Sequence, residues 1–365
     1  MKPDATFMRL AVRLGRKGLG RTSPNPPVGA VVVARGRIVG RGFHRRAGEA
    51  HAEVEALRAA EARARGATLY VTLEPCNHWG RTPPCAEAIL AAGIRRVVVG
   101  ARDPNPRVAG GGLRRLRRAG VAVEVGVEAG ACEDLIAAFA KHARTGRPLV
   151  TLKLAASLDG RIATASGASR WISGPRARRL VHRLRNEHDA IMVGAGTVIS
   201  DDPRLTCRLR GGRDPLRVIV DGRLRVPLDA RVLTKPAAPG TLIATVTRKA
   251  LIIEALRRRG ASVLVLPGRR GQLSLRRLVA ALGARGVTSV LIEGGATLAA
   301  AALRERVVDR LLCFVSPTLI GGDGLAMVGS LGVRGLAQAI RLPGVRVGRL
   351  GEDIVIHADL TSGVR

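Results

Sequence analysis

His51-Ala52-Glu53 and, after one apolar run, Pro75-Cys76-Asn77-His78-Trp79-Gly80-Arg81-Thr82-Pro83-Pro84-Cys85 are the stretches on which the reading of this chain turns. One imidazole nitrogen and two thiolates suit zinc. Three protein ligands leave the fourth tetrahedral position to water, as in a catalytic rather than a closed structural site. Zinc lowers the pKa of such a water to roughly 7, which supplies hydroxide at neutral pH. Glu53, in the first turn of a helix that His51 opens, is placed to take the water's proton and return it to a ring nitrogen and a leaving amine. Singly, these residues read as two buried thiols and a satisfied core histidine. The acid two residues after the His and the Pro before the first Cys turn the set into a candidate zinc site, with His51, Cys76 and Cys85 as ligands and Glu53 as the proton carrier.

Outward from that motif, from Asp4 to about Thr145, apolar helical periodicity alternates with short β-branched runs. The order is a helix near 5 to 18, strands at VGAVVVA and RIVGRG, a helix from His51, a strand at TLYVTL and a helix after Pro84. A strand at RRVVVG, a helix at 111 to 119, a strand at VAVEV and a closing helix complete it. This predicts a layered α/β domain. Gly146 and Pro148 punctuate RTGRPLV, which reads as a linker, so the domains are expected at 1–147 and 148–365. A fresh alternation starts at VTLKLAASLDG. DAIMVG, LRVIVD, TLIATV, SVLVLP, TSVLIEGG, DRLLCFV and DIVIHA read as strands, several too apolar to face water on either side.

A chain of 365 residues suits two domains. Its apolar residues, 46% of the total, fall in runs too short to cross a bilayer. The first residues read as an amphipathic helix rather than a secretory signal, so no membrane partner and a cytoplasmic location are expected. The net charge of +33 invites a nucleic-acid partner. Against that, the Arg are spread through both halves and aromatic residues able to stack on bases are 2% of the chain. The expectation is a basic surface serving phosphate-bearing small ligands, with no nucleic acid. Five cysteines at irregular spacing suit a reducing compartment.

The zinc deaminases of bases carry H-x-E followed by P-C-x-x-C, the Glu not being a ligand. Eight residues, not two, separate Cys76 from Cys85 here. HAE, PCNHWGRTPPC and the upstream SPNPPVGAVVV together closely resemble the RibD family, the bifunctional deaminase-reductases of riboflavin biosynthesis, whose pattern includes the longer loop. KLAASLDGRIA, SGASRWISG, VGAGTVISDDPRLTCR and IEGGATLAAAAL match the same family in order. The resemblance implies a cytidine-deaminase-like three-layer α/β/α domain followed by a dihydrofolate-reductase-like α/β domain. It implies zinc-dependent deamination of 2,5-diamino-6-(5-phosphoribosylamino)pyrimidin-4(3H)-one, and then NADPH-dependent reduction of 5-amino-6-(5-phosphoribosylamino)uracil to the ribitylamino product. It also implies self-association.

In the first domain the resemblance places Asn25, His44, His78 and Arg81 at the substrate. The prolines around Asn25 pre-set φ so that its amide is held for a heterocycle edge, although an Asn can equally just fill a turn. In the second it places NADPH at Ala155, Trp171, Thr197, Asp201 and Gly222, and at Gly295, Ala296, Thr297, Leu298, Ala299, Ala300 and Ala301. Substrate falls to Ser169, Arg185, Leu205, Arg208 and Glu293. An Arg fork can grip a phosphate monoester in two places, and Lys153 and Asp201 are the polar candidates beside the transferred hydride. The residues alone say less: Gly294-Gly295 between a strand and a helix suits a phosphate, but without G-x-G-x-x-G an ordinary Rossmann site is disfavoured. Two other readings share the metal motif. A deaminase of a base in RNA needs stacking aromatics. A non-catalytic basic zinc protein needs a fourth protein ligand, for which Cys132 or His78 would serve.

Overall fold

The computed structural model describes residues 3–79, 83–105, 108–234, 236–269 and 271–360. The chain separates into two compact units, Met1–Arg147 and Pro148–Arg365. The first contains α1 (Pro3–Gly15), β1 (Gly29–Ala34), β2 (Arg37–Phe43), α2 (Ala52–Ala60), β3 (Thr68–Leu73), α3 (Cys85–Ala91), β4 (Arg96–Ala101), α4 (Gly111–Arg118), β5 (Ala122–Val125), α5 (Ala129–Leu135) and α6 (Ala137–Thr145). Its sheet has the order β2-β1-β3-β4-β5, with β1 antiparallel to both neighbours and β3, β4 and β5 parallel.

The apolar runs of β1 and β3 require cover on both faces, and helices supply it on each side. A Cβ on Gly29 would lie 2.0 Å from the Ala11 carbonyl oxygen of α1. On the opposite face, a Cβ on Gly40 or Gly42 would lie 2.1 or 2.3 Å from the Ala56 or Ala52 carbonyl of α2. Helix α2 meets that bare strand with Ala52, Ala56 and Ala60, all fully buried, at the four-residue spacing that lines one helix face. Gly42 pairs with Ala30, which pairs in turn with Val71. The start of α2 is therefore level with the C-terminal end of β3, where the chain leaves the sheet towards Cys76.

Two helix limits differ from expectation. The first helix ends at Gly15, and Arg16–Gly18 form a 3₁₀ turn. Glycine disfavours helix continuation, and a Cβ on Gly15 would lie 2.7 Å from the Leu135 side chain. The closing helix is two helices, broken at Ile136 (φ −98°, ψ 7°), so that Cys132 and Leu135 are buried while α6 buries none of its residues.

The second unit contains β6 (Leu149–Ser157), β7 (Arg161–Ala163), α7 (Pro175–Glu187), β8 (Ala190–Gly194), α8 (Ala195–Asp201), β9 (Leu216–Val220), β10 (Thr241–Thr245), α9 (Ala250–Arg258), β11 (Ser262–Val265) and β12 (Gly268–Arg269). It continues through β13 (Gln272–Leu273), α10 (Leu275–Gly283), β14 (Ser289–Ile292), α11 (Ala296–Arg304), β15 (Arg310–Ser316), β16 (Leu325–Ala326), β17 (Arg346–Leu350) and β18 (Asp353–Asp359). Nine strands form one sheet in the order β11-β10-β9-β8-β14-β6-β15-β18-β17, parallel up to β15 and antiparallel at β18 and β17. Apolar patterning does not mark β17, RVGRL, which is an exposed edge strand defined by its ladder to β18.

From β8 the chain steps outward to β11, then returns to insert β14 between β8 and β6. This reversal of strand order opens a crevice at the C-terminal ends of the parallel strands, the usual ligand position of such sheets. Gly194 and Ile292 end β8 and β14 there; α8 begins at the next residue, and α11 after the turn Glu293-Gly294-Gly295.

Candidate functional site

In the first unit, the ends of three elements bring the expected ligands together. His51 is the extended residue before α2, Cys85 is the first residue of α3, and Cys76 follows β3. His51 Nδ1 lies 2.9 Å from Cys85 Sγ and 3.6 Å from Cys76 Sγ, and the Cys85 N–H donates to Cys76 Sγ at 3.3 Å. The three ligand atoms lie within 4.8 Å of one another, the one such cluster among the described residues. Hydrogen bonding from Cys85 and His51 holds the Cys76 thiol down at about 4, while its hydrogen bond to Cys76 and its burial push Cys85 up. Three donor atoms this close together fit a single divalent cation. The soft N,S,S donor set suits zinc.

Glu53 is 3% exposed, and burial pushes its carboxyl up to about 7. It lines a cavity of about 370 Å³ together with Asn25, His44, His51, Cys76 and His78. Arg81 lies outside the described residues. Asn25 Nδ2 is 3.2 Å from His44 Nε2, and His44 Nδ1 is 3.0 Å from the Ala50 carbonyl. Donation from Nδ1 to that carbonyl makes Nε2 an acceptor, which orients the Asn25 amide. Burial holds His44 below the ordinary imidazole range.

Sequence reasoning missed Glu49, Glu74, Asp103, Asn105 and Phe139, which also line the cavity. Glu74 and Asp103 stand just past the C-terminal ends of β3 and β4. That position favours ligand contact once strand order is known, but strand order is not written in a local pattern. Glu74 accepts the Asp103 N–H at 3.3 Å. A Cβ on Gly112 would lie 1.8 Å from the Pro75 carbonyl oxygen, so the bare start of α4 closes over the segment leading to Cys76.

In the second unit, Lys153, Ala155, Ser169, Trp171, Arg185, Arg208 and Glu293 line one cavity of about 560 Å³. Arg185 Nε and Nη2 each donate to a Glu293 carboxylate oxygen at 2.8 Å, and Nη1 donates to the Thr206 carbonyl at 3.1 Å. The edge expected to grip a phosphate is therefore committed to Glu293. Burial pushes Glu293 up, but Arg185 together with Lys153 and His182 outweighs it and holds the carboxyl below its ordinary range. Burial holds Lys153 below the ordinary amine range. Arg178, Arg179 and His182 join the same wall. The helical spacing of Arg178, His182 and Arg185 is the signal that would have found the first and third of these additions.

The cofactor positions divide. Thr197 and Gly295 stand at the neighbouring starts of α8 and α11, and a Cβ on Gly295 would lie 3.9 Å from Thr197 Oγ1. The bare backbone between two helix starts suits a phosphate group. Along α11, Ala296, Thr297 and Leu298 belong to the first turn, with its free N–H groups. Ala299 donates to Gly295 O, Ala299 and Ala300 are buried, and Ala301 packs against the core. Leu205 is 3% exposed and its side chain packs in the core rather than facing a ligand. Gly222 is explained by Gly271, whose carbonyl oxygen would lie 1.9 Å from a Cβ there. Asp201 is exposed at the end of α8 and is not among the residues lining the cavity with Lys153.

Residues 148–356 match the family model described as the RibD C-terminal domain, and residues 1–101 match that of the cytidine and deoxycytidylate deaminase zinc-binding region. The riboflavin biosynthesis protein RibD of Aquifex aeolicus is 43% identical over 97% of each chain. That of Escherichia coli is 42% identical over 97% of this chain and 98% of its own. Among solved structures, Acinetobacter baumannii RibD superposes with a TM-score of 0.87 at 41% identity, covering 98% of this chain and 99% of that one. The Thermotoga maritima diaminohydroxyphosphoribosylaminopyrimidine deaminase/5-amino-6-(5-phosphoribosylamino)uracil reductase gives 0.86 at 37% identity, covering 98% of both.

Proposed function

Because this chain belongs to the RibD family, the bifunctional deaminase-reductases of riboflavin biosynthesis, we propose an assignment of its residues to the two reactions. The first is hydrolytic deamination of 2,5-diamino-6-(5-phosphoribosylamino)pyrimidin-4(3H)-one. The second is NADPH-dependent reduction of 5-amino-6-(5-phosphoribosylamino)uracil to the ribitylamino product. The single observation that carries the reading is the convergence of His51, Cys76 and fully buried Cys85 at a cavity that His51, Cys76 and buried Glu53 line.

His51, Cys76 and Cys85 hold zinc, which when bound supplies Lewis-acid activation of a water at neutral pH. The water oxygen bonds to the ring carbon and the carbon–nitrogen bond breaks. Glu53 takes the water's proton and passes it to the departing amine, which leaves as ammonia. Asn25, with its amide oriented by His44, faces the heterocycle edge, and His78 lies at the cavity rim on the side of the ribose phosphate. In the second unit NADPH supplies the hydride. The α11 start with Gly295, together with Thr197, holds a cofactor phosphate, and exposed Trp171 and Ala155 flank the cofactor. Lys153 and Glu293 face the sugar carbonyl, Arg185 fixes Glu293, and Ser169 and Arg208 meet the substrate phosphate.

A cavity of about 370 Å³ suits a small molecule, and among the described residues Phe139 is the one Phe, Tyr or Trp lining it, which supports a metabolite over a base in RNA. No helix among the described residues is long and apolar enough to cross a membrane. The cysteines are unbridged, which supports the cytoplasm. Exposed Val345 and Val347 on and beside the β17 edge support self-association, measurable by sedimentation. Purified protein given the diaminopyrimidine phosphate is expected to release ammonia, and to consume NADPH only after that release. Glu53→Gln should keep zinc and the fold but lose ammonia release by a factor of about 10² or more; undiminished release would remove Glu53 from the mechanism.

A further inference from the structure

The cavity of the second unit holds one imidazole to which neither reaction has yet given work. His182 lies on α7 between Arg178 and Arg185, at the spacing that puts all three on one helix face. Its Nδ1 lies 3.3 Å from the backbone N–H of Arg208. Beside it, Arg185 Nη1 donates to the Thr206 carbonyl and Cys207 Sγ lies 3.4 Å from the His182 carbonyl. Three contacts therefore tie α7 to residues 206–208, two through their backbone and one through the Cys207 side chain, and this segment presents Arg208 to the cavity.

The segment follows buried Leu205, is neither helix nor strand, and leaves Arg208 exposed. Cys207 N–H donates to Asp214 at 2.8 Å, a bond within the same excursion between α8 and β9. The imidazole accepts a hydrogen bond from a main-chain N–H, which sets where the Arg208 side chain starts. A guanidinium recognises a phosphate only from the right origin, because its donors form a planar fork. Placing that origin lowers the ordering cost of binding without touching the hydride chemistry.

We propose that His182 is a substrate-positioning residue of the reductase, which holds the backbone of Arg208 so that its side chain meets the phosphate of the ribosylaminouracil. This rests on the reading of Arg208 as a phosphate contact. The requirement is for an acceptor at the Nδ1 position, which the Oδ1 of an asparagine reproduces and an alanine does not.

The test compares His182→Ala, His182→Asn and Arg208→Ala in the full chain. Steady-state NADPH oxidation is measured with 5-amino-6-(5-phosphoribosylamino)uracil, and NADPH affinity by fluorescence reports whether the unit remains folded. Arg208→Ala and His182→Ala are expected to raise KM for the uracil phosphate by about tenfold, with kcat and NADPH affinity within about twofold, while His182→Asn returns KM towards wild type. If Arg208→Ala raises KM but His182→Ala does not, or if His182→Asn is as impaired as His182→Ala, the positioning role is overturned and the Arg208 contact stands. If Arg208→Ala leaves KM unchanged, the contact fails and the inference with it. Loss of NADPH affinity in both His182 variants would make the residue structural and overturn the proposal.

Discussion

At the residue scale, burial and partner decide what a charge does. Arg185 and Glu293 form a paired, nearly enclosed ion pair, with side chains 13% and 8% exposed. Removing one member of such a pair costs about 3–5 kcal/mol, because the other is left buried and uncompensated. Arg185→Met should therefore lower the denaturation midpoint of the second unit, whereas Arg185→Met with Glu293→Leu should recover much of the stability and none of the reduction. Parallel urea melts and NADPH assays check this. Asp4 is a simpler case. Arg96 donates to both its carboxylate oxygens and Tyr70 to one, which holds the carboxyl below its ordinary range. A carboxyl with a depressed folded pKa adds stability above the unfolded value of about 3.9, and loses it as pH falls through the folded pKa. Asp4→Asn should destabilise the first unit by about 1–3 kcal/mol at neutral pH. That deficit should shrink below about pH 4, as melts across that range would show.

At the element scale, the first site depends on how closely α2 lies on β2. Gly40 and Gly42 leave room for the Ala52, Ala56, Ala60 face, and His51 and Glu53 are carried at the start of that helix. Gly42→Ala inserts a methyl 2.3 Å from the Ala52 carbonyl oxygen. Such overpacking costs about 1–3 kcal/mol. The expected result is a lower melting temperature and reduced zinc content after purification, read by calorimetry and metal analysis. Gly130→Ala provides the contrast: Gly130 is in α5, and nothing lies within 4 Å of an added Cβ. There, better helix propensity should leave stability unchanged or raise it by up to about 1 kcal/mol.

At the scale of the whole molecule, each unit has its own core. One cluster surrounds the five-stranded sheet, and others pack on the nine-stranded one. Loss of zinc should therefore be a local lesion. Cys76→Ala is expected to abolish ammonia release yet keep NADPH consumption when the deaminated uracil is supplied. With the diaminopyrimidine as sole substrate, the same variant should leave NADPH untouched. Consumption of NADPH in that last mixture would show that reduction does not wait for deamination. The net charge of +33 acts at this scale too, raising the encounter rate with a phosphorylated substrate, so kcat/KM for both reactions should fall with added salt.

Much of this protein was legible in residue order because its determinants are local. The His-x-Glu spacing, the proline before Cys76, the alternating apolar runs and the Gly146/Pro148 punctuation each act over a few residues, and periodicity reports them directly. What remained hidden depended on groups distant in sequence. Glu74, Asp103 and Phe139 join the first cavity only because β3 and β4 end, and α6 begins, beside it. The fork of Arg185 looked free until the fold set it against Glu293, and Leu205, Ala299 and Ala300 turned out to bury their side chains. The strand β17 exists because β18 pairs with it. The chain alone determined which chemistry and which layers were available; tertiary structure decided which polar groups were already paired with each other. Pairing and burial depend on distance in space, and separation along the chain does not fix that distance.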